Sequence, residues 1–502
     1  MKKENDFGRD SIPLLVLKIS IPFMFAQFVN VLYSIVDRIY IGNIPVIGAD
    51  SLAGAGVCAP IITLLSSFGT LIGIGGSVLF SVRLGAGDEK SAKQILANSF
   101  SMLLIFSGIL TIVFLLTKDY LLRWFGASAD IFPYANTYMT IYTLGTFFAL
   151  LSMGMNYFIT AQGYPGLGML TTLIGAIVNI VLDPVFIFGL EMDIAGAAVA
   201  TVIAQMSSCI FVLYTLKRKK MRIPLTLVKP EREIGKRIVK IGFSPFLILA
   251  SDSVIIIALN AVLQYYGGAD YGDTLITAAT IVQSYMLLIT APMLGVTGGS
   301  QPLISYNYGA NRADRIRKTV LWVLMLCVFF TAVMFIISRV APQYFVRIFT
   351  DNAEYRELSV WGIKVFTLMV VPLSLQYVFV DALTALGMTK LSLGMSVVRK
   401  VFYFSSTCFL PALFTAKDAF YAEPVADILA ASVTSVVFFF VYSCCHFYTF
   451  FYAIPCIYFS EPPSIISIFG NSSCIVILSC CFFENVSDII RAKSWVCLKP
   501  CC

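Results

Sequence analysis

GGSVLFSVRLGA at residues 75–86 and GSQPLISYNYGA at residues 299–310 are two versions of one stretch. They share a first glycine, a serine and a final Gly-Ala pair, each repeated 224 residues later (299 − 75 = 224). Farther along, Thr160-Ala161-x-Gly163 returns as Thr384-Ala385-x-Gly387 at the same offset. This internal duplication predicts two halves that share one architecture, as in many membrane transporters.

Apolar segments follow one another on both sides of the duplicated stretches. The chain is 58% hydrophobic and 13% charged, whereas an average soluble domain has about 25% charged residues. A membrane-spanning helix needs roughly 20 apolar residues. Twelve segments meet this need, near residues 14–41, 51–81, 95–117, 133–157, 167–190, 194–216, 238–265, 275–303, 318–341, 359–385, 391–415 and 425–453. The composition excludes an ordinary soluble protein and predicts an all-α membrane protein.

A basic segment that starts at Lys217-Arg218-Lys219-Lys220 divides the twelve predicted helices into two groups of six. Because six is even, both groups have the same topology and are related by pseudo-two-fold symmetry, with a substrate cavity between them. The predicted domains are an N-terminal six-helix bundle at 1–216, a basic cytoplasmic linker at 217–237, a C-terminal six-helix bundle at 238–453 and an atypical Cys-rich tail at 454–502.

The basic residues predict the orientation, because cytoplasmic loops carry an excess of Lys and Arg. With the N-terminus inside, the inner loops carry the linker and Lys2, Lys3, Arg9, Lys18, Arg83, Lys90, Lys93, Arg312, Arg315, Arg317 and Lys318. The outer loops carry chiefly Lys118, Arg123, Arg339, Arg347, Arg356 and Lys417. We therefore expect a multi-pass membrane protein with both termini cytoplasmic. The bacterial cell (inner) membrane is expected from the compact loops and from the family resemblance described below. The net charge of +7 reflects this asymmetry, and no nucleic-acid partner is expected.

The sequence changes character beyond about residue 447. Nine of the 13 cysteines lie from Cys444 onward, with no consistent metal-site spacing, and no disulfide framework is predicted. The tail repeats nothing in the first half. A further membrane segment, an unusual extension and a shifted reading frame are all open interpretations, and no function rests on this tail.

Two acidic residues in the first half are candidates for an ion site, because an ionisable side chain inside a spanning helix costs roughly 2.5–3.5 kcal/mol and is usually functional. Asp37 lies in the first helix, and Asp183 follows Asn179 by one helical turn in the fifth. With Thr201 of the sixth helix they can bind Na⁺ through oxygen atoms or hold a proton. Pro22 weakens the first helix and is the candidate hinge.

An alternative interpretation is that Asp183 only ends its helix at the outer face and that Asp37 forms an interfacial pair with Arg38. The duplication argues against it, because the repeat-related positions carry Asn260 and Thr407. Acids on one side of a duplicated scaffold indicate a dedicated site.

The second half offers less specific candidates. Asp252 and Asp381 either face the cavity and attract a cationic substrate or pair with Arg399 or Lys400. Further candidates for the substrate cavity are Tyr138, Tyr142, Asn156 and Gln283. Tyr and Asn on membrane helices more often pack or form interhelical hydrogen bonds.

Enzymatic chemistry is not expected. The chain has no GxxxxGK[ST] phosphate loop and no dinucleotide fingerprint, and its single histidine is His446. A Ser-His-Asp triad and a histidine metal site are therefore nearly excluded. We expect no cofactor, and no metal other than a coupling Na⁺ if the coupling ion is not H⁺.

Four motifs resemble the multidrug and toxic compound extrusion (MATE) family of cation-coupled exporters. They are NIVLDPVFIFG at 179–189, GAAVAT at 196–201, LGAGD at 84–88 and EPVAD at 423–427. The resemblance covers roughly residues 10 to 440. It implies a V-shaped pair of six-helix bundles, proton or sodium antiport, an ion site at Asp37, Asn179, Asp183 and Thr201, and a first helix that bends at Pro22.

The resemblance implies a secondary active multidrug exporter that antiports small, often cationic and aromatic compounds against H⁺ or Na⁺ by alternating access. Its expected partners are small-molecule substrates and the lipid bilayer, and the expected state is monomeric. The alternative is a lipid-linked oligosaccharide flippase of the same superfamily, which would need a more cationic cavity. A membrane enzyme or receptor would need a catalytic cluster or a sizeable extramembrane domain.

Overall fold

The computed structural model describes residues 6–125, 127, 129–218, 221–226, 228–349 and 352–452, and this part of the chain contains helices and no strand. The helices are α1 (Ile12–Gly42), α2 (Gly48–Gly85), α3 (Glu89–Trp124), α4 (Phe132–Leu144), α5 (Thr146–Ala161), α6 (Pro165–Pro184), α7 (Asp193–Lys217), α8 (Arg232–Gly309), α9 (Ala313–Val340), α10 (Pro342–Val346), α11 (Ala353–Phe366), α12 (Val370–Ala385), α13 (Thr389–Leu413) and α14 (Ala422–Tyr452). A π-helical turn at Val185–Gly189 extends α6, and a 3₁₀ turn at Ala416–Tyr421 precedes α14.

Each of the twelve predicted segments coincides with a helix, a limb of α8 or a bent pair of helices, and the predicted fold class is confirmed. Two spans are bent pairs, α4 with α5 at 55° and α11 with α12 at 52°. The long α8 is two helices that meet at Gly268, where φ is 70° and ψ is −169°. Glycine reaches such a conformation without steric cost. The first limb of α8 (232–267) and its second limb (269–309) are therefore the seventh and eighth spans.

The buried apolar residues form two large cores that follow the duplication. One comprises residues between Ile41 and Ile238, and the other combines residues between Leu259 and Phe438 with the start of the chain. The described residues up to 441 form one compact unit, and the end of α14 lies outside it. The tail predicted at 454–502 and the side chain of His446 lie outside the described residues. The domain boundaries predicted above stay predictions.

Helix α1 belongs to both cores. Its N-terminal end, with Leu15, Val16 and Ile19, is buried in the second core, whereas Ile41 at its C-terminal end is buried in the first. Pro22 lies between these two anchored ends.

The N-terminal half of α1 packs closely on the second limb of α8. Ser20 Oγ lies 3.0 Å from Ser300 Oγ. A Cβ atom on Gly295 would lie 2.7 Å from the carbonyl oxygen of Phe23, so only glycine allows this approach. The segment before Pro22, together with Phe23 directly after it, is therefore held by the second half of the protein.

Helix α2 crosses both limbs of α8 at glycines. A Cβ atom on Gly85 would collide with the backbone of Tyr306, and one on Gly309 would collide with Val82. On the first limb, Gly242 is in equally close contact with the backbone of Leu71. The two halves thus meet where the chain carries the duplicated glycines, at the helix ends predicted to be cytoplasmic.

Candidate functional site

Three of the predicted ion-site residues meet between α6 and α7. Asn179 Nδ2 donates a hydrogen bond to Asp183 Oδ1 at 3.0 Å and a longer one to Thr201 Oγ1 at 3.4 Å. Their one-turn spacing on α6 places Asn179 and Asp183 on the same face. All three side chains are buried.

Asp37 of α1 completes this cluster. Its side chain is a direct neighbour of Asp183. Within the described part of the chain, Asp37 Oδ1, Asn179 Oδ1 and Asp183 Oδ2 are buried and have no hydrogen-bond partner. The acid cluster, defined as Asp37, Asn179, Asp183 and Thr201, therefore presents acceptor oxygens to which no N–H or hydroxyl group of the described structure donates, and a shared proton would join the carboxyl groups of Asp37 and Asp183.

The chemistry of these atoms suits a cation or a proton. A buried acceptor without a partner costs about 1–3 kcal/mol, and two neighbouring carboxylates away from water repel each other. Carboxylate, amide and hydroxyl oxygens are the ligands that hard cations prefer. No group of three or more His, Cys, Asp or Glu gathers in the described residues. Two carboxylates, an amide and a hydroxyl form a donor set that suits a hard cation or a proton held between the carboxylates.

Aromatic and polar side chains surround the acid cluster. Tyr138 hydrogen-bonds to Thr201, and the ring of Tyr138 stacks with that of Tyr142 at a centroid distance of 6.4 Å. Gln205 Nε2 donates to the Tyr142 hydroxyl at 3.1 Å. Tyr33 has Asp37 and Asp183 as electrostatic neighbours. Two of the residues predicted for the substrate cavity, Tyr138 and Tyr142, thus lie beside the candidate ion site.

Sequence reasoning missed Tyr33 and Gln205. Each lies one helical turn from a residue that it did identify: Tyr33 precedes Asp37 by four positions, and Gln205 follows Thr201 by four. Residues at i and i+4 share a helix face, so this spacing was the available signal.

The alternative interpretation of the acids finds little support in the geometry. The ion pairs of the described residues do not include Asp37 with Arg38, and adjacent helical residues do not face each other. Asp183 does precede the last residue of α6, but its side chain is fully buried against the cluster. A helix-ending role alone does not explain that burial.

Two other residues predicted for the substrate cavity, Asp381 and Asn156, have partners outside the acid cluster. Asp381 of α12 hydrogen-bonds with Thr297 and Gln301 of α8. Asn156 Nδ2 donates to the carbonyl oxygen of Gly168 at 3.2 Å, an interhelical bond between α5 and α6. Gln283 is half-buried in the second limb of α8, and the side chain of Asp252 lies outside the described residues.

Arg399 has partners that the sequence did not indicate. Its guanidinium group pairs with Glu423 at 2.6 Å and with Asp427 at 2.9 Å, both on α14. Asp381 therefore does not use Arg399 as its partner. The EPVAD motif supplies a buried ion pair between α13 and α14.

Comparison with known families gives a clear match. The family model described as MatE matches residues 22–185 and 252–408, one stretch in each half of the duplication. The acid-cluster residues Asp37, Asn179 and Asp183 lie within the first stretch, and Asp381 lies within the second.

Curated relatives match over most of the chain. The multidrug export protein MepA of Staphylococcus haemolyticus (strain JCSC1435) is 28% identical over 445 residues, which cover 87% of this chain and 95% of MepA. MepA of Staphylococcus aureus (strain MSSA476) is 26% identical over 450 residues, covering 87% of this chain and 96% of the relative.

Solved structures share the fold. A structure of MATE in the straight conformation has a TM-score of 0.82 at 22% identity and covers 88% of this chain and 99% of its own. An outward-facing multidrug resistance MATE family transporter of the MOP superfamily gives the same values. At this identity the likeness shows the fold alone.

Proposed function

Because the chain belongs to the multidrug and toxic compound extrusion family, we propose that it is a secondary active multidrug exporter that exchanges small, often cationic and aromatic compounds for H⁺ or Na⁺ by alternating access. It is a multi-pass membrane protein, and the relatives that resemble it over most of their length are multidrug export proteins. We place it in the bacterial cell membrane with both termini cytoplasmic, following the positive-inside rule.

The observation that carries this proposal is the acid cluster with its three unsatisfied oxygens. A site that must bind and release an ion in each cycle needs ligands that are not permanently paired to protein donors. Asp37 Oδ1, Asn179 Oδ1 and Asp183 Oδ2 meet that condition in the described structure. The coupling ion would fill the space that these oxygens share.

Helix α1 connects the ion site to the other half of the protein. Asp37 lies on the outer side of Pro22, and Ser20, which contacts Ser300 of α8, lies on the inner side. The missing hydrogen bond at proline makes a helix easier to bend there. Ion binding at Asp37 would bend α1 relative to its fixed inner end, change the cavity and release the substrate to the outside.

The lipid-linked oligosaccharide flippase is the competing function. Its substrate carries phosphate groups, which basic side chains bind. The cluster of the first half is acidic and is surrounded by tyrosines, an arrangement that attracts cations. This charge favours export of cationic compounds.

Dye efflux tests the proposal. Proteoliposomes containing the parent protein and a fluorescent cationic dye are given an imposed pH or sodium gradient. We expect the parent to move the dye with one of the two gradients. Asp37→Asn and Asp183→Asn should each reduce that flux at least about tenfold, because a neutral amide cannot balance the ion's charge.

Asp130→Asn is the matched control, since Asp130 is an exposed acid outside the helices. It should transport like the parent, with equal insertion of all variants verified by gel filtration. Parent-like efflux in both cluster variants would refute the ion site. A parent that moves no dye with either gradient would refute multidrug export and favour a lipid-linked substrate.

A further inference from the structure

A groove separates α3 from the first limb of α8 at the end of the membrane domain that the basic residues place in the cytoplasm. Its volume is about 610 Å³. It is lined by Asn98, Met102, Pro230, Glu231, Arg232, Gly235, Lys236, Val239 and Lys240. Helix α3 belongs to the first half and α8 to the second, so a molecule in this groove contacts both halves.

Asn98 lines the groove and carries an unused donor just beneath its surface. Its side chain is 2% exposed, and its Oδ1 accepts a hydrogen bond from the backbone N–H of Glu231 at 3.2 Å. Within the described part of the chain, its Nδ2 is buried without a partner. A buried donor without an acceptor costs about 1–3 kcal/mol, so a ligand that supplies an acceptor oxygen here would be stabilised.

Basic side chains form one wall of the groove. Arg232, Lys236 and Lys240 follow one another at four-residue spacing and therefore share a face of α8. Lys236 Nζ lies 2.7 Å from Glu233 Oε1, so part of its charge is balanced. The described ion pairs include neither Arg232 nor Lys240. One carboxylate, Glu231, also lines the groove, which leaves the wall with a net positive charge.

The floor of the groove is apolar. Met102 and Val239 supply most of it, and Gly235 keeps it wide because a Cβ atom there would lie 3.4 Å from Met102 Sδ. The stems of long basic side chains also cover apolar surface while their charges reach water. The groove thus combines an apolar floor with a cationic rim.

If α3 is centred in the bilayer and perpendicular to it, the groove lies at the boundary of the hydrocarbon layer. The 36 residues of α3 span about 54 Å, which exceeds the roughly 30 Å hydrocarbon core by about 12 Å at each end. Asn98 lies nine residues beyond Glu89, about 14 Å from the start of α3. The unused donor is therefore near the level of lipid phosphates and first acyl carbons.

We propose that this groove binds an anionic phospholipid of the inner leaflet. The lipid phosphate accepts the hydrogen bond from Asn98 Nδ2 and lies between Arg232 and Lys240, while an acyl chain covers Met102 and Val239. Zwitterionic lipids bind more weakly because their ammonium group meets the same cations. The bound lipid links α3 to α8 and stabilises their contact.

Native mass spectrometry of the delipidated protein tests this site independently of transport. The protein is titrated with phosphatidylglycerol, with phosphatidylcholine and with phosphatidylglycerol in the presence of inorganic phosphate. We expect phosphatidylglycerol to bind at least about tenfold more tightly than phosphatidylcholine, and millimolar phosphate not to displace it, because phosphate has no acyl chain.

Two variants locate the lipid. Asn98→Asp retains the acceptor for the N–H of Glu231 but replaces the unused donor by a negative charge, and the double variant Arg232→Gln/Lys240→Gln removes two cations. Each cation near an anionic lipid contributes about fivefold in affinity, so the double variant should bind about 25-fold more weakly. Lys93→Gln, an exposed lysine of α3, is the control and should bind like the parent.

Equal binding of the two lipids, parent-like affinity in both groove variants, or complete displacement by inorganic phosphate would each overturn the proposal. Thermal melting curves for all variants identify any that are misfolded. Asn98→Leu, which removes the donor without adding charge, then replaces a misfolded Asn98→Asp.

Discussion

At the residue scale, the acid cluster depends on pairs of side chains one helical turn apart. Asn179 and Asp183, Thr201 and Gln205, and Tyr33 and Asp37 each have this spacing. The pattern brings polar atoms from three helices to one place without any irregular backbone at those positions. Four of these six residues are predicted from the sequence, and three of the four, Asp37, Asn179 and Asp183, carry carboxyl or amide groups that are conspicuous in an apolar helix.

Asn179 should be indispensable to the cluster. Asn179→Leu removes the donor at 3.0 Å from Asp183 and also one of the unsatisfied oxygens. We expect gradient-driven dye efflux to fall at least about tenfold. Asn136→Leu is a control on α4, since Asn136 is half-buried and its side chain pairs with Lys118 instead of an acid, and it should retain most of the flux. Equal loss in the two variants would show that any buried asparagine matters equally.

Asp88 caps the N-terminus of α3. Its Oδ1 accepts a hydrogen bond from the backbone N–H of Ser91 at 3.0 Å, and the hydrogen bonds from Ser91 lower the pKa of this carboxyl. Because the folded pKa is depressed, this stabilisation is present above the ordinary pKa and is lost as the pH falls through the folded value.

Asp88→Ala should therefore lower the free energy of unfolding by about 1 kcal/mol at neutral pH. The difference from the parent should narrow in acid. Asp88→Asn retains a capping side chain and should cost much less. The measurement is the apparent melting temperature at pH 7 and at about pH 2.5, below the ordinary pKa of an aspartate side chain. A pH-independent difference between Asp88→Ala and the parent would refute the role of the charge.

At the element scale, α1 and the crossing of α2 with α8 determine which parts can move. Sequence reasoning identified Pro22 and the duplicated glycines, because proline and repeated glycines have direct backbone consequences. It did not predict that the two ends of α1 lie in different cores. That information depends on the register between α1 and α8, which no local pattern encodes. The partners of Arg399 were missed for the same reason, since α13 and α14 meet only in the tertiary structure.

The crossing of α2 and α8 should tolerate no side chain at Gly85. Gly85→Ala places a Cβ atom against the backbone of Tyr306, so we expect a lower apparent melting temperature and reduced efflux. Gly56→Ala on the same helix is the control, because nothing beyond its own helix backbone lies within 4 Å of the point that its Cβ atom would occupy. It should be neutral or slightly stabilising, since alanine favours helix by up to about 1 kcal/mol over glycine. Equal effects of the two substitutions would contradict the close crossing.

At the scale of the whole molecule, the duplication retained packing residues and diverged at the acids. Gly85 and Gly309 occupy repeat-related positions and both serve the contact between α2 and α8. Asp183, in contrast, corresponds to Thr407, whose hydroxyl only donates to the carbonyl oxygen of Tyr403 at 2.8 Å. The scaffold is shared by the two halves, whereas the candidate ion site belongs to the first.

The central claim is that ion and substrate binding are coupled through the acid cluster. If ion binding lowers the affinity for the substrate, thermodynamic linkage requires that substrate binding lowers the affinity for the ion by the same factor. A substrate added to the ion-loaded protein should then release the ion. The most direct measurement adds a cationic dye to the purified, ion-loaded protein and records release of H⁺ or Na⁺, in the parent and in Asp37→Asn/Asp183→Asn. We expect the dye to release H⁺ or Na⁺ from the parent and no ion from the double variant. Dye binding to the parent without ion release, or equal release by the double variant, would contradict it.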